Sequence, residues 1–183
     1  MTGKPPIYLR KATKSDASSL AALSIEVWLG TYLREGINGF FADFALSEFT
    51  AARFETLIEN DREWLLVSQN TEGIDGFIQL STGVTGPLEG CGSVEISTFY
   101  VQPRHHGKGI GKALLRQAIA QCRALGVQEV WLTTNSQNTP AIEFYHAVGF
   151  RKIGITHFHI QDQAYENTVL LLKTSTRLSL IHI

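Results

Sequence analysis

The stretch that decides the fold is residues 93–115, which read SVEISTFYVQPRHHGKGIGKALL. Its first part, Val94 to Val101, is rich in β-branched and aromatic residues and predicts a strand. Pro103 has no N–H to donate to a sheet ladder, so we expect the strand to end there. From Ile110 onward apolar residues recur at helical spacing, and Gly126 stands where a helix terminator is expected. A strand, a glycine loop and a helix are therefore predicted in direct succession.

The glycine loop has the composition of a phosphate-binding segment. Glycines at 107, 109 and 111 alternate with Lys108 and Lys112, and Arg104 precedes them. The start of a helix leaves backbone N–H groups without partners, and the helix dipole favours an anion there. Because glycines let the backbone approach that anion closely, the loop is predicted to hold a phosphate group.

Two familiar phosphate loops do not match this spacing. A P-loop needs Ser or Thr after its Gly-Lys pair, and here Ala113 follows Lys112. The dinucleotide fingerprint needs Gly-x-Gly-x-x-Gly, which residues 107–112 do not provide.

The loop instead resembles the acetyl-coenzyme A loop of the GNAT superfamily of N-acetyltransferases. That family's pattern is Arg or Gln, two residues, Gly, one residue, and Gly or Ala. It falls on His106, Gly109 and Gly111, with His106 in place of the usual Arg or Gln. A second stretch, residues 138–150, reads NTPAIEFYHAVGF and resembles the family's Asn-x-x-Ala-x-x-Phe-Tyr…Gly-Phe signature. Two motifs in the expected order make the resemblance specific.

The remaining sequence predicts the element order β-α-α-β-β-β-α-β-α-β-β. Ser15 or Asp16 is the expected cap of the first helix, residues 30–44 are irregular, and a second helix ends near Asn60. Thr139 is the expected cap of the last helix, and the final strand is expected at residues 167–173 after a turn at 161–163.

This order resembles the GNAT order from residue 7 to residue 173. The resemblance implies an α/β fold (α+β, mixed sheet), in which a central twisted mixed sheet is flanked by helices and its central strands splay around the cofactor. We expect a single GNAT-type acyltransferase domain at residues 1–173 and a tail of unknown role at 174–183. The end of the chain looks most like the spermine/spermidine acetyltransferase-like branch.

Composition sets limits on partners and location. The 183 residues suit one domain with a full core. A formal net charge of −1 argues against general nucleic-acid binding. No apolar run reaches the roughly 20 residues that span a membrane, and the first residues lack the apolar segment of a secretory signal. The two cysteines do not form a disulfide framework, and no Cys/His/acid spacing supports a metal site. We therefore expect a cytoplasmic protein without nucleic-acid, membrane or metal partners.

The resemblance implies acetyl-coenzyme A as cosubstrate and assigns its binding residues. The backbone of Phe99 and Val101 would bond the pantetheine arm, the glycine loop would hold the pyrophosphate, and Asn138 would contact the arm or the ribose side. The full predicted set is Phe99, Tyr100, Val101, His106, Gly107, Lys108, Gly109, Ile110, Gly111, Lys112, Asn138 and Tyr145.

Acetyl transfer to an amine needs one proton removed and another supplied. Tyr145 matches the tyrosine of the family signature and is predicted to protonate the departing thiolate, although its helical spacing also fits a core aromatic. Glu95 is the best candidate for the general base, with a structural carboxylate as the alternative. His157 and His159 alternate on a late strand and could line the acceptor site.

Two functions compete. The first is an N-acetyltransferase that acts on a primary amine of a small molecule, polyamines included, or of a protein. The second is a catalytically inactive GNAT-fold module that binds coenzyme A as a sensor or scaffold. The family plan places the acceptor wall at Trp28, Tyr32, Glu26, Glu35 and Asp43, and a homodimer is left open.

Overall fold

The computed structural model describes residues 6–176 and residue 178. Within that part of the chain, seven strands form one sheet in the hydrogen-bonded order β1-β2-β3-β4-β5-β7-β6. The elements are β1 (Tyr8–Lys11), α1 (Ala17–Tyr32), α2 (Gly39–Glu48), α3 (Ala51–Glu59), β2 (Glu63–Gln69), β3 (Ile74–Thr82), β4 (Val94–Val101), α4 (Ile110–Ala124), β5 (Glu129–Asn135), α5 (Thr139–Ala147), β6 (Arg151–Ile160) and β7 (Gln163–Lys173). Short 3-10 helices at Lys14–Asp16 and Pro103–His105 precede α1 and the glycine loop.

Two compact units share these elements. The first contains the residues through Gln79 together with Thr98–Ala118, and the second contains Leu80–Ser97 and the residues from Ile119 onward. The division passes through β3, β4 and α4, so the chain enters and leaves each unit inside continuous elements.

The first unit holds α1–α3, β1, β2 and the glycine loop. Strands β1 and β2 are antiparallel, with Tyr8 opposite Gln69 and Lys11 opposite Leu66. The core lies where the apolar faces of α1 and α3 meet β2 and β3, and its buried members are Ala17, Leu20, Ala21, Leu23, Phe54, Leu65, Val67 and Phe77. The 3-10 helix that precedes α1 is held by Asp16. The carboxylate of Asp16 accepts hydrogen bonds from both terminal nitrogens of Arg10, at 2.7 and 2.8 Å.

One helix prediction for this unit is wrong. Residues 39–44, which were predicted to be irregular, belong to helix α2, and a separate α3 begins at Ala51 where one continuous second helix was expected. The side chain of Asn38 accepts a hydrogen bond from the N–H of Phe41, and that of Thr50 accepts one from Arg53. These two N-caps each start a helix, because a capping oxygen satisfies a donor that the helix cannot.

The second unit contains β5, α5 and the β6–β7 hairpin. Strand β7 is antiparallel to β5, with Trp131 opposite Leu171, and antiparallel to β6, with His157 opposite Glu166. Strand β4 runs parallel to β5, and the register of that pair has Glu95 opposite Trp131. The alternation of β6 is interrupted by a bulge between Lys152 and Gly154.

Two boundaries in this unit differ from the prediction. Asn138, not Thr139, caps α5, because its side-chain oxygen accepts from the N–H of Ala141. Strand β7 begins at Gln163 rather than residue 167, since Ile160 pairs with Gln163 across a two-residue turn in which Gln161 has φ 53°. The hairpin extends the strand beyond its apolar portion.

The chain end is partly described. Thr174, the first residue of the predicted tail, is buried, and its hydroxyl donates to the carbonyl of Val127 at 2.7 Å. The rest of the tail prediction, like the one for the first five residues, lies outside the described residues apart from 175, 176 and 178. In the described part, no helix is long and apolar enough to cross a membrane, and no cluster of three metal-ligating side chains occurs.

Candidate active site

The glycine loop of the first unit is tied to the end of β4. The ring Nε2 of His106 lies 2.9 Å from the carbonyl oxygen of Val101, and the N–H of His106 donates to the carbonyl of Pro103 at 3.1 Å. The N–H of Gln102 donates to the carbonyl of Asp75 on β3. Hydrogen bonds from His106 and from Gln102 therefore fix the backbone that leads from β4 into the glycine loop.

Two glycines give the loop a shape that other residues rarely adopt. Gly107 has φ 76° and Gly109 has φ 90°, both in the left-handed region. A Cβ at Gly107 would meet nothing within 4 Å, so the space next to this peptide is open. The carbonyl of Gly109 accepts from the N–H of Ala113, which makes Gly109 the residue that starts α4. An anion can therefore approach the first turn of α4 closely.

Three cationic side chains surround this turn. Lys108 is exposed, and its ammonium donates to the ring of His105 at 3.0 Å. Arg104 donates to Glu26 of α1 at 3.1 Å, and Gln102 donates to the same carboxylate at 2.7 Å. Glu26 is thus engaged by residues next to the loop, and its place on the acceptor wall stays a prediction. Lys112 follows in the first turn of α4 and is half-buried.

Two predicted cofactor residues turn their side chains inward. Ile110 is 5% exposed and belongs to the core, so only its backbone can face a ligand. The ring of Tyr100 packs edge-on against Phe77 at 5.9 Å, and burial raises the pKa of its hydroxyl well above the usual value. Phe99 and Val101, on the opposite parity of β4, are half-buried. Their placement suits a role for the main chain.

A buried polar chain in this unit was missed by the sequence analysis. Gln79 is 5% exposed, donates to Glu63 at 2.7 Å, and accepts from the hydroxyl of Thr98 at 3.2 Å. The signal was present, because β3 carries polar residues at alternate positions inside an otherwise apolar strand, and buried polar groups need partners. These hydrogen bonds fix the side chain of Thr98, which lies three residues after Glu95 in β4.

An aromatic cluster was also missed. Trp28 of α1 stacks on Phe44 at 4.8 Å, and Tyr32 stacks on Phe41 at 5.5 Å. Trp28 is buried at the centre of the cluster, which corrects its predicted place on a wall, whereas Tyr32, Phe41 and Phe44 are half-buried. Only the structure reveals this cluster, since residues 30–44 were predicted to be irregular.

Glu95 lies in the second unit, in the first half of β4. Its side chain is half-buried, and it stands opposite Trp131 of β5, whose indole N–H donates to the carbonyl of Gly92 at 2.8 Å. Ser97, two residues further on, accepts from the hydroxyl of Ser81 at 2.7 Å. Glu95 is therefore held in a strand whose neighbours are fixed, as a positioned carboxylate requires.

Tyr145 and Asn138 occupy the two ends of α5 in the same unit. Tyr145 is 7% exposed, and its ring contacts Phe144 at 5.6 Å and Phe150 at 5.4 Å. Its ring is thus a core element, as the alternative interpretation expected, and only its hydroxyl is left for chemistry. The side-chain oxygen of Asn138 caps α5, so this residue also has a structural function.

The loop fits the charged end of coenzyme A. It combines an open backbone at left-handed glycines, the start of a fifteen-residue helix, and basic side chains without an acid between Arg104 and Arg123. A mixed sheet that carries such a strand–loop–helix unit defines a domain that binds a phosphate-bearing cosubstrate.

Comparison with known proteins identifies the family. The model of the acetyltransferase (GNAT) family matches residues 31–150, so the chain belongs to this family. An uncharacterised N-acetyltransferase of Mycobacterium tuberculosis is 26% identical over 159 residues, covering 87% of this chain and 97% of the relative. Streptothricin acetyltransferase of Streptomyces lavendulae is 29% identical over 168 residues, covering 86% and 88%.

Solved structures share the fold. The PaiA N-acetyltransferase of Thermoplasma acidophilum, in complex with coenzyme A, has a TM-score of 0.73 and 21% identity, and the match covers 92% of this chain and 99% of that one. NAA60 of Arabidopsis thaliana, in complex with a bisubstrate analogue, has a TM-score of 0.71 and 18% identity, covering 92% and 98%.

These findings confirm the predicted class. The protein is a GNAT-family, acetyl-coenzyme A-dependent N-acetyltransferase with a mixed α/β sheet. The assignment to the spermine/spermidine acetyltransferase-like branch and the roles of individual residues stay predictions.

Proposed function

We propose that this enzyme transfers the acetyl group of acetyl-coenzyme A to a primary amine, with Tyr145 as the general acid and Glu95 as the general base. The observation that carries the proposal is the glycine loop, in which Gly107 and Gly109 adopt left-handed conformations at the start of α4. Such a loop positions a pyrophosphate and thereby the thioester attached to it.

In the proposed reaction the lone pair of a neutral amine attacks the thioester carbonyl, and a C–N bond forms. The C–S bond then breaks, and the sulfur leaves as a thiolate. Glu95 accepts, directly or through water, the proton that the ammonium form of the acceptor must lose before it attacks. The nitrogen of the tetrahedral intermediate then loses its second proton to water, and the hydroxyl of Tyr145 donates a proton to the sulfur. The departing thiolate, whose thiol form has a pKa near 8.5, can take a proton from a well-placed tyrosine, whose usual pKa is near 10.

Residues around β4 support this assignment. The carboxylate of Glu95 is half-buried in a strand, and Ser97, two residues further on and therefore on the same face, has its hydroxyl bonded to that of Ser81. A hydroxyl that is fixed in this way can orient a water molecule beside the carboxylate of Glu95. The burial of the Tyr145 ring would fix the direction of its hydroxyl in the same manner.

The acceptor is proposed to be a primary amine of a small molecule or of a protein. Among the relatives, streptothricin acetyltransferase is named for a small molecule, whereas NAA60 shares the fold alone. The half-buried rings of Tyr32, Phe41 and Phe44 offer an apolar surface. The exposed Asp43 lies on α2, the helix that carries Phe41 and Phe44. We propose that these residues form part of the acceptor wall.

A panel of amines with detection of released thiol tests the proposal. The panel contains spermidine, spermine, aminoglycoside-type and amino-acid amines, and short peptides with a free N-terminus. The enzyme as described is supported if an amine is turned over and the rate falls about 10²-fold or more in Tyr145→Phe. Tight binding of acetyl-coenzyme A by calorimetry without turnover of the whole panel would instead favour the inactive binding module.

A further inference from the structure

Strand β6 is an edge of the sheet with unusual exposure. It is ten residues long, it ends the strand order, and its neighbour in the described part of the chain is β7. The pairing with β7 runs from Arg151 to Ile160, so one side of β6 is used over its full length. The other side of such a strand presents a row of main-chain N–H and C=O groups to which another strand can add.

The opposite edge of the sheet, strand β1, has features that protect it from pairing with another strand. Strand β1 has four residues, and two of them, Arg10 and Lys11, are charged. Short length and basic side chains are common devices that prevent strands from pairing at an edge. In β6, by contrast, the run from Gly154 to Ile160 contains no Asp, Glu, Lys, Arg or Pro. Its charges and its bulge are confined to residues 151–154.

The exposed face of this run is partly apolar. Ile155 is 43% exposed, and His157 and His159 follow it as exposed residues at alternate positions. Cross-strand contacts with an added strand would cover Ile155, and pairs of this kind stabilise a sheet.

The charges at the two ends of β6 favour a second copy of β6 as the added strand, in antiparallel orientation. Arg151 and Lys152 open the strand, and Asp162 lies in the turn directly after it. A second copy of β6 in antiparallel orientation brings the basic end of each strand to the acidic end of the other. A parallel copy would instead place the basic ends together. Antiparallel pairing of two identical strands is also the arrangement that a two-fold axis generates.

We propose that β6 pairs antiparallel with β6 of a second copy of this chain, so that two sheets join into one. With the two-fold axis near Thr156, Ile155 of one copy stands opposite His157 of the other, and both lie on the exposed face. The edge groups of β6 then find main-chain partners, and Asp162 faces the basic end of the second copy. The contact uses neither Glu95 nor Tyr145, but it includes His157 and His159, so on this proposal the two histidines belong to the dimer contact rather than to the acceptor site.

Charge exchange tests both the contact and its direction. Arg151→Asp and Asp162→Arg each place like charges at both ends of the paired strands, whereas the double variant restores opposite charges. Residues 151 and 162 are exposed, so these variants should fold as the parent does, which circular dichroism verifies. In sedimentation equilibrium we expect a dimer whose dissociation constant rises about tenfold in each single variant, since two exposed pairs change per dimer, and returns toward the parent value in the double variant. Lys11→Asp, at the protected edge, is the matched control and should leave the dissociation constant unchanged.

Three results would overturn the proposal. The first is a chain that stays monomeric up to several hundred micromolar. The second is a dimer that neither single variant weakens, because it would use another surface. The third is a monomer that dimerises only after residues 177–183 are removed, because that segment would then be the occupant. Hydrogen exchange gives a further measurement, since amide protection in residues 154–160 should increase with protein concentration.

Discussion

The imidazole Nε2 of His106 lies 2.9 Å from the main-chain carbonyl oxygen of Val101, so a hydrogen bond joins the first residue of the glycine loop to the last residue of β4. A carbonyl oxygen can only accept, and Nε2 therefore carries the hydrogen. The family pattern has Arg or Gln at this position, and both of those residues also carry a side-chain N–H donor.

Replacing His106 tests whether this hydrogen bond contributes to cofactor binding. We expect His106→Ala to weaken acetyl-coenzyme A binding roughly 2- to 12-fold, the range that corresponds to the usual net value of one hydrogen bond. His106→Gln can donate again and should recover most of the affinity. Titration calorimetry measures both, and equal affinities for the Ala and Gln variants would show that the hydrogen bond to Val101 does not matter for binding.

The loop assignment predicts that Gly109→Glu abolishes binding of acetyl-coenzyme A. The side chain adds bulk and a negative charge where the phosphates are expected, and φ 90° strains any residue with a Cβ. Gly90 is a matched control, because it has φ 93° and nothing lies within 4 Å of a Cβ there. Gly90→Glu carries similar strain and the same charge but should bind normally. Normal binding by a folded Gly109→Glu variant would place the phosphates elsewhere.

Tyr145→Phe should lower kcat while leaving cofactor affinity close to that of the parent. The variant keeps the ring that packs against Phe144 and Phe150 and removes only the hydroxyl. A group that acts only in the transition state affects kcat, and loss of a general acid costs about 10²-fold or more. Tyr8 is 59% exposed, and Tyr8→Phe serves as the control. An unchanged kcat in Tyr145→Phe would assign Tyr145 to packing alone.

Glu95→Gln should reduce the rate most at neutral pH. An alkyl amine with a pKa of about 10.4 is mostly protonated at pH 7, so a base is needed there. At pH values near that pKa more of the amine is already neutral, and the defect should shrink. The measurement is the pH dependence of kcat/KM for both proteins, with Glu129→Gln on the neighbouring strand as control. Parallel profiles over the whole range would remove Glu95 from the proton transfer.

The ion pair of Arg10 and Asp16 predicts a specific loss of stability in acid. The hydrogen bonds from Arg10 lower the pKa of Asp16 from 3.8 to about 2. Because the folded-state pKa lies below the unfolded value, the stabilisation is complete well above pH 3.8 and is lost as the pH falls toward 2. The shift corresponds to about 2 kcal/mol.

Asp16→Asn should therefore lower the free energy of unfolding by about 2 kcal/mol at pH 7, which urea denaturation measures. The difference from the parent should shrink steadily below pH 4. Asp61 is exposed, and Asp61→Asn should have little effect at either pH. A constant difference between pH 7 and pH 2.5 would contradict the linkage.

Several elements could be predicted from the residues because they depend on local chemistry. The bounds of β4 agree with the sequence pattern, and Gly126 takes the left-handed conformation expected at a helix end. The predictions that failed concern competition between neighbours. Asn138 precedes Thr139, and either residue is a good cap, so the choice depended on the path of the chain from β5.

The sequence by itself determined the strand–glycine loop–helix unit, the second motif around Tyr145 and the family to which they belong, because glycine spacing and helix periodicity are local properties. Only the tertiary structure decided that Gln79 joins Glu63 to Thr98, that Trp28 lies inside an aromatic cluster, and that β6 ends the sheet. These contacts join residues far apart in the chain, and their partners follow from sheet order and helix packing rather than from any local pattern.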